Sequence, residues 1–194
     1  ITSVLLPSTL TDIRKQAFQY CTNLTSINIP NAVTHIGANA FNGCSNLQTI
    51  TSLGNPTSIE EYTFYNCTSL TNLTLPNTVT SVGQRAFYNC KAFTAMMIPN
   101  SVETIGRYAF YGCTNITTLQ LSNNLITLGS NVFSGCNKIT LINVPETVKR
   151  LEPNTFYGCT ALTTITLNEG LEVIGNNAFS SSSAARCGVT SITI

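Results

Sequence analysis

The sequence predicts a solenoid, a single domain over residues 1–194 made of stacked, near-identical coils. Two columns of residues carry that prediction. Seven cysteines, Cys21, Cys44, Cys67, Cys90, Cys113, Cys136 and Cys159, recur at an unbroken spacing of 23 residues. Eight of the nine phenylalanines, Phe18, Phe41, Phe64, Phe87, Phe110, Phe133, Phe156 and Phe179, keep the same period. A unit of this size cannot bury its apolar face alone, so neighbours must stack and share one continuous core. Eight full units and a partial one, with strands ~4.8 Å apart, make a body on the order of 40 Å long.

Each unit reads L-x-x-I-x-I-P-x-x-V-x-x-I-G-x-x-A-F-x-x-C, as from Leu24 through Ile27, Ile29, Pro30, Val33, Ile36, Gly37, Ala40 and Phe41 to Cys44. L-x-x-I-x-I alternates at period two and predicts a short strand with one buried face. Proline follows in five of eight units and ends the strand by withholding a donor. V-x-x-I supplies two more core contacts on the return path. The next glycine (Gly37, Gly83, Gly106, Gly129, Gly175) reads as a turn residue at positive φ. A-F-x-x-C places Phe and Cys on one face of a helical turn or 3-10 segment. The residue before the cysteine (Gly43, Asn66, Asn89, Gly112, Gly135, Gly158) is of a type that tolerates the left-handed conformation closing such a turn.

Some units depart from this template. The third, running Leu47, Ile50, Thr51, Ser52, Leu53, Gly54, Asn55, Pro56, lacks the proline, which predicts a bulge or an altered strand end. The step from Phe179 to Val189 is ten residues where other units take six. Its Ser- and Ala-rich surplus predicts an irregular segment over 180–188 before a last strand from Val189 to Ile194. The chain starts within a strand pattern (Ile1, Val4, Leu6) and ends within another, with no polar cap, so it reads as a fragment of a longer protein.

Stacked in register, adjacent cysteines have near-parallel Cα–Cβ vectors about 4.8 Å apart. A disulfide needs Cβ atoms about 3.8 Å apart and inclined toward each other. The column therefore reads as a ladder of buried thiols acting as small hydrophobes. A row of single ligands cannot close a tetrahedron, so zinc is disfavoured as well. Cys187, off the period, is the thiol expected to be exposed.

With Phe and Cys in register over almost the whole chain, the template resembles the BspA-like leucine-rich repeat, a 23-residue class of microbial surface proteins. The resemblance implies a leucine-rich-repeat solenoid, a right-handed α/β-type superhelix. Its short parallel strands would line the concave face, with turns or 3-10 and short helical segments on the convex side. It also implies an extracellular or cell-surface location and adhesion to a protein or glycoprotein ligand. That ligand would be host extracellular matrix, a plasma protein or another cell. A repeat template fixes the scaffold and leaves the partner to the variable positions.

Composition agrees with export: only 9% of residues are charged and the net charge is +1. No basic patch tracks phosphates, so nucleic acid is not an expected partner. No apolar run approaches the ~18 residues of a membrane span, so no membrane insertion is expected of this fragment. Catalysis finds little support. His35 is the one histidine and reads as an exposed return-path residue; Glu60 and Glu61 are adjacent, with Glu60 in a template glycine position. No nucleophile, phosphate loop, metal set or cofactor site stands out, so no enzyme is expected.

Binding surfaces remain, and the columns define them. The outward strand positions are Ser26 and Asn28, Thr49 and Thr51, Asn72 and Thr74, Ala95 and Met97, Thr118 and Gln120, Leu141 and Asn143, Thr164 and Thr166. Solenoids of this kind engage ligands on that side. A second candidate is a tyrosine stripe: Tyr65, Tyr88, Tyr111 and Tyr157 follow Phe directly, with Tyr62 and Tyr108 three residues earlier. Tyrosine suits interfaces because it joins apolar area to a hydroxyl; the alternative is that the rings merely cover neighbouring coils. A threonine row (Thr25, Thr71, Thr94, Thr117, Thr140, Thr163, Thr190, with Gln48 between) is similar to ice-binding surfaces, though threonine also stacks well on strands for its own sake. Two classes of function stay open, an adhesin-type binding module and a passive spacer that projects another domain.

Overall fold

A computed structural model describes residues 2–181 and 190–193. Its short strands fall in two parallel ladders, one on each long path of the coil, each ladder broken into three sheets of two to four strands. The first holds β2 (Ser26–Ile29), β4 (Thr49–Leu53), β7 (Ala95–Met97), β9 (Thr118–Gln120), β11 (Leu141–Asn143), β13 (Thr164–Thr166) and β15 (Ser191–Thr193). The second, on the V-x-x-I path, holds β1 (Asp12–Ile13), β3 (His35–Ile36), β5 (Ser58–Ile59), β6 (Ser81–Val82), β8 (Thr104–Ile105), β10 (Thr127–Leu128), β12 (Arg150–Leu151) and β14 (Val173–Ile174). Pairing mostly joins a residue to the one a period later: Asp12 to His35, Ala95 to Thr118, Leu141 to Thr164.

A third ladder has no strands. There the N–H groups of Phe41, Phe64, Phe87 and Phe110 donate to the carbonyls of Thr63, Ala86, Ala109 and Val132 in the next coil, at 2.8–3.0 Å. Between these rungs the chain closes tandem turns, such as Ala40 N–H to Gly37 O and Cys44 N–H to Phe41 O, both 3.1 Å. The expected helical segments are thus absent among the described residues. Left-handed residues recur here twice per coil and break any run of helical φ. The fold is a β-solenoid of strands and turns.

The predicted left-handed residue before each cysteine is present, from Asn66 (φ 56°) to Gly135 (φ 76°), with Tyr20 (φ 57°) in the first coil. The template glycines are a correction, because none of Gly37, Gly83, Gly106, Gly129 or Gly175 has positive φ. A Cβ on any of them would lie 2.5–2.7 Å from backbone of the preceding coil, such as Lys15 N beneath Gly37 and Gln84 N beneath Gly106. Close approach selects glycine at these positions. The positive φ lies two residues on, at Gln16, Asn39, Tyr62, Arg85, Tyr108, Asn131, Asn154 and Asn177.

The core is a set of columns running the length of the stack. All eight template phenylalanines stack on one another with ring centroids 5.1–5.6 Å apart and planes within 1–11° of parallel. Leu, Ile, Val and Cys columns surround them, almost all fully buried. The third unit carries the expected bulge: Ile27 pairs with Ile50 but Ile29 pairs with Leu53, one residue further on. Gly54 (φ 69°) closes the altered strand end, and Pro56 fills the buried valine slot. At the far end Thr164 pairs with Ser191, 27 residues on, so the four surplus residues do not disturb the register. Most of the irregular segment expected over 180–188, with Cys187, lies outside the described residues. The opening strand expected at Val4 and Leu6 is not formed; Thr2 O only receives Thr25 N–H, at 3.5 Å. No helix among the described residues is long and apolar enough to cross a membrane.

Candidate binding surfaces

Strand alternation places the predicted outward row on the surface, except in the fourth coil, where the expected strand is reduced to a single bridge between Thr49 and Asn72. Ile27, Ile50, Met96 and Ile142 point inward and are buried, while Ser26, Asn28, Thr49, Thr51, Asn72, Thr74, Met97, Thr118, Gln120, Leu141 and Asn143 are exposed. Ala95, Thr164 and Thr166 are half-buried. In this row Asn72 alone bonds to a neighbouring coil's side chain, accepting weakly from Thr94 Oγ1 at 3.4 Å. The adjacent threonine row behaves differently. The hydroxyls of Thr71, Thr117, Thr163 and Thr190 donate to the carbonyls of Gln48, Thr94, Thr140 and Thr163 at 3.1–3.3 Å. Those four hydroxyls link neighbouring coils through their one proton, which gives this threonine row a structural role.

The tyrosine stripe resolves into a two-column grid confined to three coils. In the column after Phe, the rings of Tyr65, Tyr88 and Tyr111 stack at 4.9 and 4.8 Å, with planes 16° and 10° apart. In the column two residues before Phe stand Tyr62, Arg85 and Tyr108. Tyr62 tilts against Tyr65 at 5.5 Å, and Tyr108 meets Tyr111 edge-on at 5.7 Å. The Arg85 guanidinium lies over the rings of Tyr62 and Tyr108, at 5.6 and 5.0 Å, and donates to the Tyr62 hydroxyl at 2.6 Å. Arg107 reaches over Tyr108 at 5.7 Å. Burial beside Tyr111 and Tyr65 pushes the Tyr88 phenol up. Tyr157 stands apart, because Ser134 occupies the rung between it and Tyr111.

His35 gains partners that spacing along one coil could not reveal. Its Nδ1 lies 2.6 Å from Asp12 Oδ1 and its Nε2 lies 2.9 Å from Glu60 Oε1, in the coils on either side. Arg14 Nε donates to the other Asp12 oxygen at 3.1 Å. The bond to Asp12, then that to Glu60, holds the imidazole above its ordinary value, and the same bond to His35 lowers the Asp12 carboxyl. Both ring nitrogens thus face carboxylates of neighbouring coils. The network braces three coils. The signal was present in the sequence, since Asp12 is 23 residues before His35 and Glu60 is 25 after. Among the described residues, no group of three or more His, Cys, Asp and Glu side chains could hold a metal ion.

The thiols form their own ladder. Cys44, Cys67, Cys90, Cys113, Cys136 and Cys159 each donate from Sγ to the Phe carbonyl of the preceding coil at 3.1–3.2 Å. Burial pushes the Cys44 thiol up to about 12 and raises those of Cys67, Cys90, Cys113 and Cys136 as well. Such groups neither ionise nor act as nucleophiles near neutral pH.

Comparison with known proteins agrees with this anatomy. The sequence model of the BspA type leucine rich repeat region matches six copies, over residues 1–95 and 80–194. The chain belongs to the BspA-type leucine-rich repeat family. Among solved structures, this BspA-type chain is similar to a leucine-rich repeat protein from Bacteroides ovatus, with 32% identity and a TM-score of 0.85. It is also similar to a leucine rich cell surface protein from Faecalibacterium prausnitzii (28%, 0.67) and to the leucine rich repeat protein of T. pallidum (25%, 0.66). These matches cover 89%, 96% and 92% of this chain, and 45%, 52% and 75% of the respective relatives. The BspA-type segment thus spans about half the length of the first and of the cell-surface protein. No curated protein matches it.

Proposed function

We propose that this BspA-type solenoid is a non-catalytic binding module of a cell-surface protein, and that the outward row of its first ladder contacts the ligand. The ligand is a protein or glycoprotein of the host matrix or plasma, or of another cell. One observation carries the reading. The core columns repeat the same residue types coil after coil, whereas the row from Ser26 and Asn28 to Thr164 and Thr166 varies between polar and apolar and is almost free of structural hydrogen bonds. Residues released from holding the coils together are available for recognition. Membership of the family, and the likeness to a protein described as a leucine rich cell surface protein, support the surface location.

An array of immobilised matrix proteins, plasma proteins and glycans tests this. Binding is expected to at least one protein or glycoprotein ligand, weakened tenfold or more when Asn28, Asn72, Met97 and Asn143 are changed to arginine. Binding that survives all four changes refutes the role of this row. If the chain binds nothing on the array, the spacer reading holds instead.

A further inference from the structure

The three-coil tyrosine–arginine grid has a composition that the fold does not require. In the left-handed column the neighbouring coils carry Gln16 and Asn39 on one side and Asn131, Asn154 and Asn177 on the other. Asparagine is the side chain that best tolerates this conformation, and bulky residues there are outliers. Yet Tyr62 (φ 57°), Arg85 (φ 53°) and Tyr108 (φ 58°) occupy it in three successive coils, the same three that present Tyr65, Tyr88 and Tyr111 in the next column. Two disfavoured tyrosines and an arginine, held together and nowhere else in the column, mark a surface kept for something other than stacking.

The chemistry narrows the occupant. Both faces of the Tyr88 ring are covered by its neighbours, so the stack offers solvent its ring edges and hydroxyls. A sugar lying flat on an aromatic face finds no such face at the centre of the grid. Arg85 and Arg107 have no carboxylate partner among the described residues, and Glu61, the acid beside Tyr62 in sequence, pairs with neither. Arginine forks beside tyrosine edges are the side-chain set enriched at the energetic centres of protein interfaces, and a guanidinium matches a carboxylate with two parallel bonds. We propose that Tyr62, Tyr65, Arg85, Tyr88, Tyr108 and Tyr111, with Arg107 at the edge, form a docking surface for an acidic protein segment. This surface is distinct from the outward strand row and does not depend on the function proposed for it.

The test restores the column's own residue. Tyr62→Asn, Arg85→Asn and Tyr108→Asn together give the grid the sequence of the flanking coils. The probe is a glutamate–tyrosine copolymer, with a glutamate homopolymer, heparin and polysialic acid beside it. The parent chain is expected to bind the copolymer, more weakly as salt is raised. The triple variant is expected to melt at the same temperature or higher and to bind at least tenfold more weakly. A chain carrying the charge-neutral changes Asn28→Ala and Met97→Ala is expected to bind the copolymer as the parent does. The proposal is overturned if the triple variant binds unchanged, or if it melts several degrees lower, which would make the grid structural cover. It is overturned equally if the parent chain binds the anionic glycans and not the copolymer.

Discussion

A methyl group at position 106 would sit 2.7 Å from the Gln84 amide nitrogen, a backbone atom that no rotamer change can move aside. At Gly135 the nearest atom is 3.7 Å away, but φ is +76°. The two glycines therefore answer to different forces, crowding in one case and backbone conformation in the other. Gly106→Ala is expected to lower stability by about 3 kcal/mol through overpacking, and Gly135→Ala by about 1 kcal/mol through the left-handed backbone. Urea unfolding of the two variants measures the difference, and equal losses would refute the distinction. The glycine column was visible in the sequence while its reason was not, because one letter serves both causes. The better signal for positive φ was the asparagine at Asn39, Asn131, Asn154 and Asn177, a column the template leaves unmarked.

At the scale of a column, the thiol ladder couples burial to pH. Spacing alone placed the cysteines opposite one another and argued against disulfides. It could not show that each Sγ points to a Phe carbonyl, since that depends on the turn between them. The raised thiols are protonated in the folded coil at a pH where the unfolded chain has already ionised. Their contribution is complete below the ordinary thiol value near 9 and is lost as pH rises toward the folded value, which for Cys44 is about 12. Each fully buried thiol in this window steepens the loss by about 1.4 kcal/mol per pH unit. Stability is therefore expected to fall sharply above about pH 9. Cys90→Ala, though less stable at neutral pH, should show a slope shallower by one group. Denaturant midpoints between pH 7 and 10.5 test both, and identical slopes would refute the coupling. The His35 brace was missed for a related reason: its acids are distant along the chain and adjacent only once the period is folded.

For the whole molecule, contacts between nearest coils carry almost everything, which is why the fold was legible from a template and the partner was not. Core residues constrain their neighbours and so repeat. Outward residues constrain nothing in the fold, and their meaning lies in a molecule the sequence does not contain. The same locality makes the length of the stack adjustable in whole periods. Deleting residues 116–138, one full period of 23, joins Asn115 to Ile139 with every column in phase. The shortened chain is expected to fold cooperatively, with a denaturant m-value lower by about one-eighth because one coil fewer is exposed on unfolding. Deleting 116–135 instead puts Phe156 and Cys159 out of step with Phe110 and Cys113, and cooperative unfolding should be lost. If both deletions behave alike, the register does not hold the fold together. The in-phase deletion also removes Ser134, so Tyr157 becomes the next rung above Tyr111 and the tyrosine stack grows by one ring.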